Sequence, residues 1–318
     1  MKKFIYKYIF FLLPLVVISS SVEIYNRVNN TFYAKEKYIE KNQKSIEVLV
    51  LGSSQTWRAI NPEYMNIQCA PLAHGGSAFN IDYLLFKEFI DKLPNLKVVV
   101  LETSYHTFDD YRGNNWNKNH LFFIYYGIDN YGKKIPKSDY FLLTANPKAY
   151  VKKIWASSIF PEFGQFNKYG YVTSSLETLE TGHYDSLFLK SRHRYENLNN
   201  YKKNEVLLEE IINTCEEKKL DVVFFSPPKY YTYNENNNVN KIDRRDSLLN
   251  SYQGREFIHF WNYERVYEKD TKVFSNEDHL NFNGAKKMTQ EINKKLNQLI
   301  NARTHNTRYK KLRGKCYI

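Results

Sequence analysis

Short apolar runs and amphipathic stretches alternate along most of this chain. Five runs predict buried strands: residues 46–51, 66–72, 97–101, 221–225 and 257–261. Apolar residues that recur at three- and four-residue spacing predict helices over residues 81–90, 205–218 and 283–300. Continuous apolar strands that alternate with helices are typical of a parallel sheet covered on both faces. The pattern therefore predicts an α/β fold with a parallel sheet.

The N-terminus carries a separate hydrophobic signal. Lys2 and Lys3 precede an apolar stretch over residues 4–22, which only Lys7 interrupts. A helix of that length spans about 28 Å, close to the thickness of a bilayer core. The uninterrupted part, residues 8–18, also has the length of a signal-peptide core. We predict an uncleaved signal anchor in preference to a cleaved peptide. The positive-inside rule then puts the N-terminus in the cytoplasm and the rest of the chain in the periplasm or outside the cell.

Two segments depart from the strand and helix alternation. Residues 23–45 are polar and predict a stalk or a short helix behind the anchor. Residues 105–200 are rich in Tyr, Asn and Lys, and only residues 141–155 within them predict one or two helices. A structureless loop of such length is implausible in a compact domain. We therefore expect an insertion after the third strand that caps the strand ends of a domain over residues 46–300.

The net charge of +12 changes this picture little once it is divided by position. Residues 1–22 hold three of the positive charges and the tail over residues 301–318 holds six, which leaves +3 for the remainder. The chain carries no recognised nucleic-acid-binding motif, so nucleic acid is not an expected partner. Three scattered cysteines do not make a disulfide framework, and the histidines lack metal-ligand spacing. We predict neither a metal nor a cofactor.

Three short motifs lie where chemistry is expected in such a sheet. Gly-Ser-Ser at 52–54 follows the first strand, His-Gly-Gly-Ser at 74–77 follows the second, and Asp-His-Leu-Asn at 278–281 precedes the last helix. Parallel sheets bind ligands beyond the carboxyl ends of their strands. A serine needs a neighbouring base to act as a nucleophile near neutral pH, and histidine is the usual base. The motifs indicate Ser54 and His279 as candidate nucleophile and base.

In order and approximate spacing, these motifs resemble those of the SGNH/GDSL hydrolase superfamily. Within the superfamily, the chain is most similar to the membrane-anchored branch. This branch includes proteins of the D-alanyl-transfer (DltD-like) type and polysaccharide O-acyltransferases. It covers residues 46–104 and 221–300. It implies a three-layer αβα sandwich with a parallel, flavodoxin-like sheet. It also implies Ser54 as nucleophile, His279 as general base, and the backbone N–H groups of Ser54 and Gly76 as oxyanion donors.

This sequence departs from the superfamily pattern at two blocks. The third block normally ends in Gly-x-Asn-Asp, whose Asn donates to the oxyanion, and here Ser104 is the candidate replacement. The acid normally three residues before the histidine is replaced by Asn276, so Asp278 is the candidate acid. The alternatives are a Ser–His dyad helped by a backbone carbonyl and a degenerate site. His74, Tyr105 and Tyr230 lie near strand ends and are the candidate substrate-binding residues.

The function expected from these features is that of a membrane-anchored serine esterase or O-acyltransferase that acts on a cell-envelope or exopolysaccharide glycan. The expected partners are the membrane, through the N-terminal helix, a glycan or acyl-donor substrate, and a membrane acyltransferase. The alternative is a catalytically degenerate SGNH-fold protein that binds glycan or scaffolds polysaccharide assembly.

Overall fold

The structure, a computed structural model, describes residues 2–159, 164–173, 179 and 193–313. The α-helices of the described residues are α1 (Lys2–Val28), α2 (Thr31–Asn42), α3 (Ser54–Ala59), α4 (Phe79–Phe89), α5 (Asn119–Tyr126), α6 (Leu142–Ala145), α7 (Pro147–Ile159), α8 (Leu198–Glu217), α9 (Tyr231–Glu235), α10 (Val239–Asn250) and α11 (Phe282–Arg313). The strands are β1 (Val48–Leu51), β2 (Cys69–Pro71), β3 (Val98–Glu102), β4 (Asp221–Ser226), β5 (Ile258–Asn262), β6 (Phe274–Asn276) and β7 (His279–Leu280).

Strands β1 to β5 form one sheet in the order β2-β1-β3-β4-β5, and each neighbouring pair is parallel. Val48 of the interior strand β1 pairs with Cys69 on one side and with Val98 on the other. Every residue of β1, β3 and β4 is buried. The predicted α/β class and parallel sheet are confirmed. Strands β6 and β7 form a separate antiparallel hairpin.

Helices cover both faces of the sheet. Alternate side chains of a strand point to opposite faces. The face that carries Val50, Val100 and Val223 packs in one cluster with Met288 and Ile292 of α11. Helices α4 and α8 contact β1 and β4, respectively, and each other. Burial of a valine, isoleucine or methionine side chain contributes about 1.5–3 kcal/mol. The apolar contacts on the two faces therefore stabilise the sheet between the helices.

The chain divides into two compact units. One comprises Ile39–Arg112 and Ser175–Ile318 and contains the sheet. The other comprises Met1–Tyr38 and Gly113–Ser174. Inside this second unit, Phe32 packs among the rings of α5, with its centroid 5.1 Å from that of Phe122.

Helix α1 is apolar over most of its length. Its segment Tyr6–Val28 has 23 residues and a mean hydropathy of 1.8, and its most apolar window is not buried inside the structure. By length and composition it fits a single-pass membrane anchor or a signal sequence. The helix continues to Val28, beyond the predicted end at residue 22, and most of the predicted stalk is helical in α1 and α2.

Two other boundaries differ from the sequence prediction. The last helix extends to Arg313, because residues 301–313 contain no proline or glycine that would end it. Strand β2 is limited to Cys69–Pro71 at the edge of the sheet, where proline is tolerated. Parts of the predicted insertion (160–163, 174–178 and 180–192) and the end of the predicted tail (314–318) lie outside the described residues.

Candidate active site

A tight turn brings Ser54 to the carboxyl end of β1. Gly52 ends the strand with a φ of +145°, and Ser53 caps α3, which begins at Ser54. A Cβ atom on Gly52 would lie 2.8 Å from the Cβ and from Oε2 of Glu102, and 2.8 Å from Oγ1 of Thr56. Only glycine fits this backbone and this close approach. The Gly-Ser-Ser sequence is therefore required by the geometry that presents Ser54.

The buried carboxylate of Glu102, at the end of β3, holds this turn. It accepts hydrogen bonds from the Ser53 backbone N–H at 2.7 Å, from the Ser53 hydroxyl at 2.8 Å and from the Thr56 N–H at 3.2 Å. The Ser53 side chain is thus occupied. The hydroxyl of the neighbouring Ser54 bonds a different side chain, that of His279. Sequence reasoning missed Glu102, although an acid inside an apolar strand run is an available signal, because buried carboxylates need specific partners.

A second buried carboxyl, that of Asp82 in α4, lies beside the same turn. It accepts one hydrogen bond from the Ser77 hydroxyl, at 3.4 Å, and another from the Gly52 backbone N–H. Burial, together with the negative charge of Glu102, raises the pKa of Asp82 well above its usual range. Asp82 therefore connects the turn after β1 to the loop after β2.

The Ser54 hydroxyl and the His279 imidazole form a hydrogen bond. Oγ of Ser54 lies 2.7 Å from Nε2 of His279. The other ring nitrogen, Nδ1, lies 2.9 Å from Oδ1 of Asp278 and 2.9 Å from Oδ1 of Asn276. Both of these partners are oxygen acceptors, so Nδ1 carries the proton and Nε2 is left to accept from Ser54. This is the tautomer that a general base requires.

The hairpin of β6 and β7 and the start of α11 position the histidine. Asn276 pairs with His279 across the hairpin, and its Oδ1 also accepts the Asp278 backbone N–H at 3.3 Å. Asn281 caps α11 by accepting the Gly284 N–H at 3.0 Å, and its amide donates to the Phe274 carbonyl at 3.2 Å. The Asp-His-Leu-Asn sequence therefore joins the hairpin to the helix.

A chain of buried polar groups continues from Asp278 into the interior. Its second oxygen, Oδ2, accepts from the Gln55 amide at 3.1 Å, and Gln55 Oε1 accepts from the Ser104 hydroxyl at 2.8 Å. The buried Lys229 ammonium lies 3.5 Å from Ser104 Oγ and donates to the Pro227 carbonyl at 3.0 Å. Both oxygens of Asp278 are therefore held. The hydroxyl of Ser104, the predicted oxyanion donor, donates to Gln55 here.

The remaining predicted oxyanion donors are backbone groups. Gly76 has a φ of +76°, and its carbonyl accepts a hydrogen bond of 2.8 Å from Nε of Arg112. Arg112 is fixed in turn by two backbone hydrogen bonds with the Asn80 side chain, each 2.9 Å. Within the described part of the chain, the N–H groups of Ser54 and Gly76 donate to no other group.

The three predicted substrate-binding residues differ in their surroundings. His74 is buried, and its backbone N–H donates to the Gly52 carbonyl at 2.9 Å. Tyr105 is buried, its hydroxyl bonds Nδ1 of His193, and the Lys241 ammonium lies 5.2 Å from its ring centroid. Tyr230 is half-buried, and its ring packs on Phe274 of the hairpin at 5.8 Å. Tyr230 is thus the one of these three with accessible ring surface beside the histidine hairpin.

Among the described residues, no group of three or more His, Cys, Asp or Glu side chains could hold a metal ion. The chain matches no model of a known protein family, and a search of curated proteins found no significant match. The assignment of a function to this site therefore depends on its geometry and on the chemistry of its residues.

Proposed function

We propose that this protein is a membrane-anchored serine esterase or O-acyltransferase of the SGNH/GDSL type. The observation that carries the proposal is the hydrogen-bonded series from Ser54 through His279 to Asp278. A serine, a base on its hydroxyl and an acid on the far side of that base are the three parts of an activated nucleophile. The Asn276 amide adds a second acceptor to the same imidazole nitrogen.

In the proposed reaction, Nε2 of His279 takes the Ser54 proton while Oγ attacks the carbonyl carbon of an ester. The N–H groups of Ser54 and Gly76 donate to the oxygen that becomes negative. His279 then returns the proton to the departing alkoxide, which leaves an acyl group on Ser54. An acceptor hydroxyl, from water or from a sugar, loses its proton to His279 and attacks the acyl carbonyl. The bond between the acyl carbon and Ser54 Oγ then breaks, and His279 returns the proton to Oγ. Asp278 stabilises the positive imidazolium in both steps.

The sheet supports the resemblance to the superfamily. The strand order 2-1-3-4-5 supports a flavodoxin-like arrangement, in which ligands bind at the carboxyl ends of the strands. Ser54 follows β1 and Glu102 ends β3, and these two strands are neighbours in the sheet. Helix α11 on one face and helices α4 and α8 on the other support a three-layer sandwich.

The substrate class follows from the N-terminal helix and from the resemblance. An anchor in the orientation given by Lys2 and Lys3 would present the site outside the cytoplasm, where envelope glycans and exopolysaccharides carry O-linked acyl groups. The half-buried ring of Tyr230 beside the hairpin offers an aromatic surface for a sugar. For acyl transfer, the donor would be supplied by a membrane acyltransferase.

Labelling with a fluorophosphonate tests the nucleophile, because this reagent phosphonylates activated serines. The full chain in detergent, its Ser54→Ala variant and a Ser251→Ala variant, which changes an exposed serine of the same unit, are compared. We expect labelling of the wild type and of Ser251→Ala, and none of Ser54→Ala. Equal labelling of all three, or no labelling of the folded wild type, would contradict an acyl-enzyme function.

A further inference from the structure

Helix α7 exposes an apolar stripe. Val151, Trp155 and Ile159 are spaced by four residues, which puts them on one helix face, and they are 56%, 67% and 48% exposed. The same helix buries Tyr150 and Ala156 on its other side. Apolar side chains on both sides of a surface helix indicate that the exposed side has a partner of its own.

This stripe belongs to the unit that contains the apolar helix α1, and the two are tied together. The Glu23 carboxylate of α1 accepts the backbone N–H groups of Leu142 and Leu143 at 3.0 and 2.8 Å. Lys153 of α7 donates to the Asn29 carbonyl, just after α1. These contacts fix α6 and α7 beside the C-terminal end of the candidate membrane span Tyr6–Val28.

Further apolar side chains are exposed beside the C-terminal end of α1. Phe141 is 53% exposed and lies under the Arg27 guanidinium, 5.7 Å from it, and Ile24 is also exposed. An open groove of about 450 Å³ is lined by residues from both α1 and the segment 141–144, among them Ile24 and Phe141. The apolar surface of α1 therefore continues onto the segment that precedes α7.

The segment that carries this apolar surface is rich in lysine. Residues 127–159 carry six lysines against two acids. Lys148 and Lys152, on the same helix α7, are exposed. Lysine side chains reach from an apolar surface to charged headgroups, and basic segments beside a membrane span bind anionic lipids.

We propose that α7 and Phe141 form a membrane-surface foot that lies in the headgroup region of the bilayer entered by α1. Val151, Trp155 and Ile159 enter the boundary between headgroups and acyl chains, and Lys148 and Lys152 bind lipid phosphates. An anionic lipid surface is the occupant, because the foot is tied to the helix that enters the bilayer and because lysines outnumber acids around it. Amphipathic helices with this combination of side chains lie in the membrane interface.

Site-directed spin labelling of the full chain tests the foot. The chain is reconstituted into vesicles of phosphatidylcholine and phosphatidylglycerol, with Cys316 replaced by Ser, since Cys69 and Cys215 are buried. A label at Val151→Cys is compared with one at Val206→Cys, an exposed valine of α8 in the other unit. A label at Phe10→Cys, within α1, reports whether the anchor is inserted.

We expect the label at residue 151 to collide several-fold less often with a water-soluble nickel complex, and more often with oxygen, than the label at residue 206. Replacement of Lys148 and Lys152 by Gln should reduce this protection in anionic vesicles and leave it unchanged in phosphatidylcholine alone. Equal nickel accessibility at residues 151 and 206, with residue 10 inside the bilayer, would overturn the proposal. A water-exposed label at residue 10 would also overturn it, because the foot would have no bilayer to meet.

Discussion

The carboxylate of Asp278 contacts the imidazole of the residue that follows it, His279, with 2.9 Å between Oδ1 and Nδ1. Consecutive side chains of a strand point to opposite sides. Here Asp278 precedes β7 in the hairpin turn, so the two side chains can meet. An acid one residue before the base can thus contact the ring nitrogen of the base that faces away from Ser54.

This contact predicts the effect of Asp278→Asn. Loss of the charge removes the group that stabilises the imidazolium, and in serine proteases the equivalent change lowers kcat by about 10⁴. We expect a smaller fall in the hydrolysis of an aryl acetate, because the Asn276 amide still accepts from Nδ1. Asn276→Ala, the matched control, should reduce kcat less than Asp278→Asn does. The opposite ranking would transfer the orienting role to Asn276.

The buried glutamine beside Asp278 predicts a loss of stability. Gln55→Met keeps the volume but removes the hydrogen bond from the Gln55 amide to Asp278 Oδ2 and the one that Gln55 Oε1 accepts from the Ser104 hydroxyl. Each buried polar group left unsatisfied costs about 1–3 kcal/mol. We expect the free energy of unfolding, measured with urea, to fall by about 2–6 kcal/mol. Gln253→Met, at an exposed glutamine, should change it by less than about 0.5 kcal/mol. Similar values for the two variants would show that the buried chain adds no stability.

Gly52→Ala is predicted to distort the nucleophile turn. The added Cβ would meet Glu102 and Thr56 at 2.8 Å, at a φ of +145°. Gly254 also has a positive φ, of +90°, but a Cβ there would meet no atom within 4 Å. Gly254→Ala should therefore cost only the backbone strain, about 1–2 kcal/mol. Gly52→Ala should lower the melting temperature further and abolish Ser54 labelling. Equal melting temperatures would refute the steric account of this turn.

The raised pKa of Asp82 predicts a pH-dependent stability. A carboxyl whose folded-state pKa is raised keeps its proton in the folded chain while the unfolded chain releases it above about pH 4. Its stabilising contribution is complete below that pH and is lost as the pH rises toward the folded-state pKa, by up to about 1.4 kcal/mol per pH unit. Asp82→Asn should lack this decline when the free energy of unfolding is measured at several pH values. Parallel curves for the two proteins would contradict a raised pKa.

The sheet could be predicted from the sequence because its strands are near-continuous apolar runs, which are typical of parallel sheets buried on both faces. The sequence also indicated Ser54, which follows the first predicted strand, and His279, which precedes the last predicted helix. It did not predict that Gln55, Ser104 and Lys229 would form one buried chain with Asp278. These residues come from separate segments, and their hydrogen bonds depend on side-chain directions that no local pattern encodes. The association of Met1–Tyr38 with Gly113–Ser174 is likewise a long-range contact without a sequence signal.

The most direct test of the account is to trap the acyl group on the protein. The wild-type chain is mixed with p-nitrophenyl acetate, quenched in acid and digested, and the modified peptide is identified by mass spectrometry. We expect an acetyl ester on Ser54 that forms together with a burst of p-nitrophenol and is absent from His279→Ala. A folded wild type that releases no p-nitrophenol, or an acetyl group carried on another residue, would contradict it.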